Sequence, residues 1–301
     1  MERLSIIVLF LSFAHLAAGQ SFYSLRRERS LIVTGGSGTA TYFGELSNDK
    51  DYIDAKPNIS AGLQYYVTNR INIRAEATWF QLSGSDAKAD PTGEFDRKVR
   101  NLSFNSNNLE LNLTGSLNFF RMGNRYYRRP GFNIYGFGGV GLLYFNPTAE
   151  YQGKKVALQP LATELVNYSR IAIVIPFGLG ARIKLSPYAN LAIEGGYRKT
   201  FTDYLDDVST VHNDASKFSS PLSKALSDRG PEVGWPSEPD GHRRGNPLSK
   251  DGYMLLSVKI EYYLPYNFQL GGSGIKKKPA YNQRRKSPMY RYNKRGGIKR
   301  R

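Results

Sequence analysis

Along the middle of the chain, apolar and polar side chains alternate one for one, which is the period of a β-strand with two unlike faces. The segment Arg70–Leu82 is the cleanest. Ile71, Ile73, Ala75, Ala77 and Trp79 share one face, and Asn72, Arg74, Glu76 and Thr78 share the other. A second segment sets Leu109, Leu111, Leu113, Leu117 and Phe119 against Asn108, Glu110, Asn112, Thr114, Ser116 and Asn118. Six more follow the same rule with some blurring: Leu31–Tyr42, Asn58–Val67, Phe132–Phe145, Ile171–Ile183, Leu191–Phe201 and Tyr253–Leu264. The connections between the eight run to about 15, 2, 26, 12, 24, 6 and 51 residues, longer and shorter in strict turn. An even number of strands with alternating loop lengths predicts an all-β fold. The expectation is an eight-stranded antiparallel up-and-down outer-membrane β-barrel spanning residues 31–264.

Alternation alone does not say which face points inward, and a soluble lipocalin-like barrel would place the apolar face inside. The polar faces carry Arg74, Glu76, Glu110, Arg182, Glu194, Arg198, Lys259 and Glu261. Together with the loop lengths, so many charges favour the membrane. The interior of an eight-stranded barrel is just wide enough for side chains to fill. These charges are therefore expected to pair with one another as packing, not to line a channel or perform acid/base chemistry.

Upstream, Arg3 precedes the apolar run Leu4–Ala14, and Ala17-Ala18-Gly19 offers small residues for cleavage. Residues 1–19 read as a cleaved signal peptide, and 20–30 as a periplasmic segment leading into the barrel. The single apolar run, Leu4–Ala18, is too short for a helical membrane bundle. The chain has no cysteine, which excludes disulfide scaffolds, thiolate metal sites and cysteine nucleophiles. Its 21 Tyr, 16 Phe and 30 Gly suit a barrel with aromatic belts.

The net charge of +17 is unevenly spread. Lys276 to Arg301 holds 12 Lys or Arg and no acid, leaving 30 basic against 25 acidic residues elsewhere. Residues 265–301 read as a disordered basic tail that an even strand count places in the periplasm, on the side of the short turns. Lys276, Lys277, Lys278, Arg284, Arg285 and Lys286, with Arg121, Arg125, Arg128 and Arg129 of one short turn, are the candidate partner-binding cations. In the cytosol such a segment would suggest nucleic acid. In the periplasm it points to an acidic protein or to anionic outer-membrane lipid, or it is simply solvated.

Other motifs carry less. Gly136-Phe137-Gly138-Gly139-Val140-Gly141 has the dinucleotide spacing, but no helix is predicted after it, so its glycines read as room for strand bending or a large neighbour. Gly35-Gly36-Ser37-Gly38-Thr39 lacks the lysine of a phosphate loop. The glycosylation triplets at Asn58, Asn101, Asn112 and Asn167 read as chance, two of them inside predicted strands. His212 and His242 share the last loop with Asp203, Asp206, Asp207, Asp214 and Asp240, a set that would suit calcium better than zinc. That loop is taken as solvated, and no metal, cofactor, catalytic residue, small-molecule substrate or nucleic acid is assigned.

The stretch Gly195-Gly196-Tyr197-Arg198-Lys199-Thr200-Phe201-Thr202-Asp203-Tyr204-Leu205-Asp206-Asp207-Val208-Ser209 resembles the PorG family of the type IX secretion system. So do Arg244-Gly245-Asn246-Pro247, Asp251-Gly252-Tyr253, Gly35-Gly36 and Tyr42-Phe43-Gly44-Glu45-Leu46. Thr202, Asp203, Tyr204, Asp206 and Asp207 lie in the most specific part. The resemblance implies a non-enzymatic outer-membrane barrel of gliding or protease-secreting bacteria, anchoring the periplasmic ring of the PorK lipoprotein and PorN. The different-class alternatives are a stand-alone barrel acting as envelope stabiliser or surface adhesin, and a lipid-modifying enzyme. A membrane barrel is expected to shift its gel mobility between unheated and boiled samples, whereas a mobility unchanged by heating speaks against one.

Overall fold

In a computed structural model, residues 31–48, 55–89, 97–123 and 128–264 are described. Ten strands form one antiparallel sheet: β1 Leu31–Phe43, β2 Lys56–Tyr66, β3 Ile71–Ser85, β4 Ser103–Asn118, β5 Phe132–Tyr144, β6 Pro147–Tyr151, β7 Lys154–Ala157, β8 Ile171–Lys184, β9 Ala189–Thr200 and β10 Gly252–Tyr263. Eight of them pair in the order β3-β2-β1-β10-β9-β8-β5-β4, and β3 pairs with β4 to close the barrel. The seam between first and last strands runs from Ile32 opposite Tyr263 to Phe43 opposite Gly252. All eight strands expected from alternation are present, within a few residues of their predicted ends. The hairpin β6–β7 is additional and joins β4 at Asn105 and Ser106. Connections 44–55, 86–102, 145–170 and 201–251 leave one end of the barrel. Connections 67–70, 119–131 and 185–188, each shorter than the ones just before and after it in the chain, leave the other, together with Leu31 and Leu264.

The face question is settled by burial. In β4, Leu111, Leu113 and Leu117 are 54%, 56% and 59% exposed, whereas Glu110 is fully buried. The eight barrel strands repeat this inversion, so the outer wall is a belt of Leu, Ile, Val and Phe and the middle of the lumen is polar. That arrangement is stable only where hydrocarbon replaces water outside, and it excludes the lipocalin-like alternative. Among the described residues no helix is long and apolar enough to cross a membrane, so the strands do the spanning.

All eight charged residues assigned to the polar faces are buried in the lumen, four acids with four bases. Arg74 makes a two-pronged contact with Glu194, and Lys259 bridges Glu194 at 2.7 Å to Glu76 at 2.7 and 2.8 Å. Arg182 grips Glu261 through two bonds of 2.6 and 2.7 Å and lies 4.1 Å from the Tyr135 ring. Arg198 faces Glu110 at 3.5 Å, and Glu110 also accepts from the Tyr253 hydroxyl at 2.7 Å. These partners come from β3, β4, β8, β9 and β10, so the ion pairs span the lumen and fill it.

The glycine-rich run Gly136–Gly141 remains strand throughout, with no helix after it, which removes the nucleotide reading. The run's own Phe137 instead fills room left by glycines of the next two strands in the sheet. The Phe137 ring lies over Gly178 of β8 and Gly196 of β9, where an added Cβ would come within 2.9 and 2.6 Å of its tip. Asn58 and Asn112, two of the glycosylation matches, point into the lumen.

Toward the long-loop end, the inward positions change character without changing parity. Phe80, Leu82, Phe104, Leu143, Val174, Tyr253 and Leu255 replace the ion pairs there with an apolar core, and Leu46, Leu205, Val208 and Leu226 from the loops pack onto it.

Removing one partner of a buried ion pair leaves its mate uncompensated, typically at about 3–5 kcal/mol. Glu194→Ala leaves Arg74 and Lys259 to share Glu76 alone, two cations on one carboxylate, and is expected to fall in that range by urea unfolding in detergent. The exposed loop variant Asp240→Ala is expected to change stability by less than about 1 kcal/mol.

Candidate functional site

The segments that carry the family resemblance are far apart in sequence, yet they meet in one place above the apolar core. The first enters as β1 ends and Gly44, Glu45 and Leu46 turn over the lumen. The second follows β9 as 202–209. The third returns as 244–246, and the fourth is Asp251, just before β10. Together they make a folded vault, and the expectation of a solvated last loop is corrected: Asp203, Asp206, Asp207, Ser209, His212, Arg244 and Asp251 are all buried. The cause is the apolar tier below. Leu205 and Val208 insert into it and pull the intervening carboxylates down with them.

The vault has two electrostatic halves. In one, Arg244 is the hub. It donates to Glu164 at 2.7 Å, to the Asp207 carbonyl at 2.7 Å and to the Ser227 carbonyl at 3.1 Å. Glu164 in turn accepts from the backbone N–H groups of Ser209 and Thr210, both at 2.9 Å. Burial alone would raise the Glu164 carboxyl, but Arg244 and these donors hold it below the usual carboxylate range. Asp207, held in the left-handed region at φ 68°, accepts from the Tyr168 hydroxyl at 2.6 Å and from the Thr163 hydroxyl. Burial, only partly offset by Arg244, pushes Asp207 up to about 6. Tyr204 stacks on Tyr168 with ring centroids 4.6 Å apart. Beside this half, Asp86 clamps Arg100 through bonds of 2.7 and 2.8 Å and takes a third, of 2.9 Å, from Arg97.

The other half is acidic. Glu45, Asp203 and Asp251 each bring a carboxylate oxygen within 4.8 Å of the other two. Glu45 Oε1 accepts from the Asn246 N–H at 3.1 Å, Asp203 Oδ2 from the Ser209 hydroxyl at 2.7 Å, and Asp251 from the Tyr42 hydroxyl at 2.6 Å and the Leu205 N–H at 2.9 Å. Asp206 stands next to them, its Oδ1 accepting from Val208 N–H at 2.9 Å. Thr202 anchors the entry to the turn, its carbonyl accepting from the Asp251 N–H at 3.3 Å.

Of the five motif residues Thr202, Asp203, Tyr204, Asp206 and Asp207, all lie in the vault, divided between its halves. The histidine-centred grouping imagined from sequence does not form. His212 is buried, with its ring 6.5 Å from that of His242, while Asp214 and Asp240 sit on the surface around Lys217. The carboxylates that do gather with Asp203 are Glu45 and Asp251. Glu164, Asp86 and Arg100 carry much of the vault and had no periodic signal.

At the short-turn end, Arg121 and Arg128 are exposed. Arg129 differs from expectation. It is buried and donates to Asn190 and to the carbonyls of Ser186 and Pro187, each at 2.7 Å, and of Ala189 at 2.9 Å, with its guanidinium 4.5 Å from the Tyr263 ring. It is a staple across the 185–188 turn, not a docking cation. Arg125, Lys276, Lys277, Lys278, Arg284, Arg285 and Lys286 lie outside the described residues, as do the signal peptide 1–19 and the segment 20–30.

A family model described as "Domain of unknown function (DUF6089)" matches residues 8–220. No curated protein sequence matches. Among solved structures, Neisserial surface protein A is 11% identical, covering 78% of this chain and 99% of its own, with a TM-score of 0.37. A major outer membrane protein from Thermus thermophilus is 12% identical over 78% of this chain and 100% of its own, at 0.40. The attachment invasion locus protein of Yersinia pestis is 9% identical over 79% and 99%, at 0.36.

Two buried groups give the vault opposing pH responses. With Asp207 raised to about 6, the folded state keeps a proton that the unfolded chain has released, so its contribution to stability falls as pH rises from about 4 to about 6. Burial instead lowers His212 to about 4, so its contribution is lost as pH falls from about 6.5 to about 4. Asp207→Asn is expected to make the stability slope more positive across this window, and His212→Gln more negative. Protease resistance of the 201–251 loop in detergent reads both.

Proposed function

The chain belongs to the DUF6089 family, and on that premise we propose that it is a non-enzymatic outer-membrane component of the type IX protein secretion system. In this reading it anchors the periplasmic ring of PorK and PorN type to the outer membrane. The observation that carries the reading is the lumen. Four acids and four bases, with Phe137 and Tyr135 packed beside them, occupy the bore that a channel would need. Such a barrel serves as a fixed post in the membrane. Its working surfaces are then its two ends, and the segments resembling the PorG family build one of them.

The other end supplies the ring contact in this proposal. Arg121 and Arg128 lie on the side where both barrel termini emerge, and Arg125 with the tail cations Lys276–Lys278 and Arg284–Lys286 would add to them. Their charge suits an acidic periplasmic protein first and anionic lipid headgroups second. The long-loop end, folded and facing away from the periplasm, favours a second reading, a stand-alone barrel that stabilises the envelope or adheres to a surface.

Gentle detergent extraction followed by affinity capture and mass spectrometry separates the two. Co-purification of a periplasmic lipoprotein with its ring partner, lost when residues 265–301 are deleted, is expected. Recovery of the barrel alone in several detergents would favour the stand-alone reading. Retention of the ring by the truncated chain would remove the tail from the mechanism.

A further inference from the structure

The acidic half of the vault contains more carboxylate than its surroundings compensate. Glu45, Asp206 and Asp251 gather around the Tyr42 hydroxyl, which donates to Asp251 and neighbours Asp206, and Asp203 brings an oxygen within 4.8 Å of those of Glu45 and Asp251. The nearby cations are engaged elsewhere: Arg100 with Asp86, Arg244 with Glu164, and Lys250 with the Pro247 carbonyl at 3.0 Å. Hydrogen bonding does not finish the task either. Glu45 Oε2, Asp203 Oδ1 and Asp206 Oδ2 are buried with no hydrogen-bond donor. Asp203 is 2% exposed and Asp206 1%. A buried carboxylate oxygen without a donor is costly unless something positive meets it.

We infer that Glu45, Asp203 and Asp251 form a binding site for a hard divalent cation of calcium's size, with Asp206 as a second-rank negative charge beside it. Three oxygens within 4.8 Å of one another can share an ion whose bonds are about 2.3–2.6 Å. The donor set is all carboxylate, with no imidazole or thiolate to favour zinc or copper. Calcium readily completes its shell with backbone carbonyls and water, whereas magnesium demands shorter bonds and near-ideal octahedral placement. Glu45 also lines a cavity of about 630 Å³, which gives an ion a route inward. Arg97, Arg100, Arg243 and Arg244 line that same cavity. The affinity expected is therefore that of extracellular calcium modules, with Kd of about 10⁻⁴–10⁻³ M.

The three ligands come from the β1–β2 connection and from both ends of the β9–β10 connection. One ion would tie together the loops above three adjacent strands, β9, β10 and β1. This holds independently of any role in secretion.

The test uses the full chain, chelator-stripped in detergent, titrated with calcium chloride by calorimetry, with terbium luminescence excited through tyrosine as a second readout. One ion per chain is expected, with protease protection of the 201–251 loop rising on binding. Glu45→Gln and Asp203→Asn are each expected to weaken binding at least tenfold, while Asp240→Asn, a surface acid of the same loop, leaves it unchanged. Glu45 is only half-buried, so its variant keeps the test open if Asp203→Asn does not fold. No saturable binding up to about 10 mM calcium, well above the weak end of that affinity range, would overturn the site. So would equal binding by wild type and both ligand variants, or tighter binding of magnesium than of calcium.

Discussion

Everything in this barrel rests on one constraint: charge placed inside a closed wall of hydrocarbon-facing strands must sum to zero within the lumen. Water cannot rescue an uncompensated ion there, and the wall cannot move aside. The chain meets the constraint with four carboxylates against four cations, none taking its only partner from a strand beside it in sequence alone. Arg74 to Glu194 and Lys259 to Glu76 reach across the bore. Because the contacts of Arg74, Arg182 and Lys259 are short and two-pronged, these pairs fix the relative height of strands that share no ladder. Register, which backbone hydrogen bonds set only between neighbours, is thereby also set across the barrel.

Above the ion pairs the same inward positions become apolar, and this second tier governs the loops. A long connection closes over a barrel only if it has something to bury. Leu46, Leu205, Val208 and Leu226 supply the burial, and Phe80, Phe104 and Tyr253 receive it. The polar residues between those anchors are then drawn out of water. Arg244, Glu164 and Asp86 resolve their burial by mutual pairing, while Glu45, Asp203 and Asp206 retain oxygens that hydrogen bonding leaves over. The vault thus follows from the packing of a few leucines, and its unusual electrostatics follow from the vault.

Strand alternation made the barrel legible because the rule is local: Ile71-Asn72-Ile73-Arg74 states its own two faces. The pairing of the eight lumenal charges was legible for the same reason, since a narrow bore leaves them no other fate. The β6–β7 hairpin was not. Its strands are five and four residues long, and its only signal is the Gln152-Gly153 turn with both φ angles positive. The vault was legible only as separate motifs. Nothing in the spacing of Glu45, Asp203 and Asp251 announces that they meet, because they are brought together by strand order at the β9–β10–β1 seam. Arg129 misled for a related reason: four neighbouring arginines look alike in sequence, and only the turn beneath one of them decides that it is a staple.

The placement of Lys259 and Glu261 on the last strand also has a bearing on biogenesis. Until β10 arrives, Glu76 lacks the lysine that faces it most closely, and Arg182 has no carboxylate at all, only Asn118. A barrel assembled through β9 is an open sheet with an unmatched arginine in its concave face. The final strand adds Lys259 and Glu261 together and so leaves the lumenal net charge unchanged, but it brings Arg182 its carboxylate, and chain order makes closure of the seam the moment at which the last buried arginine is paired.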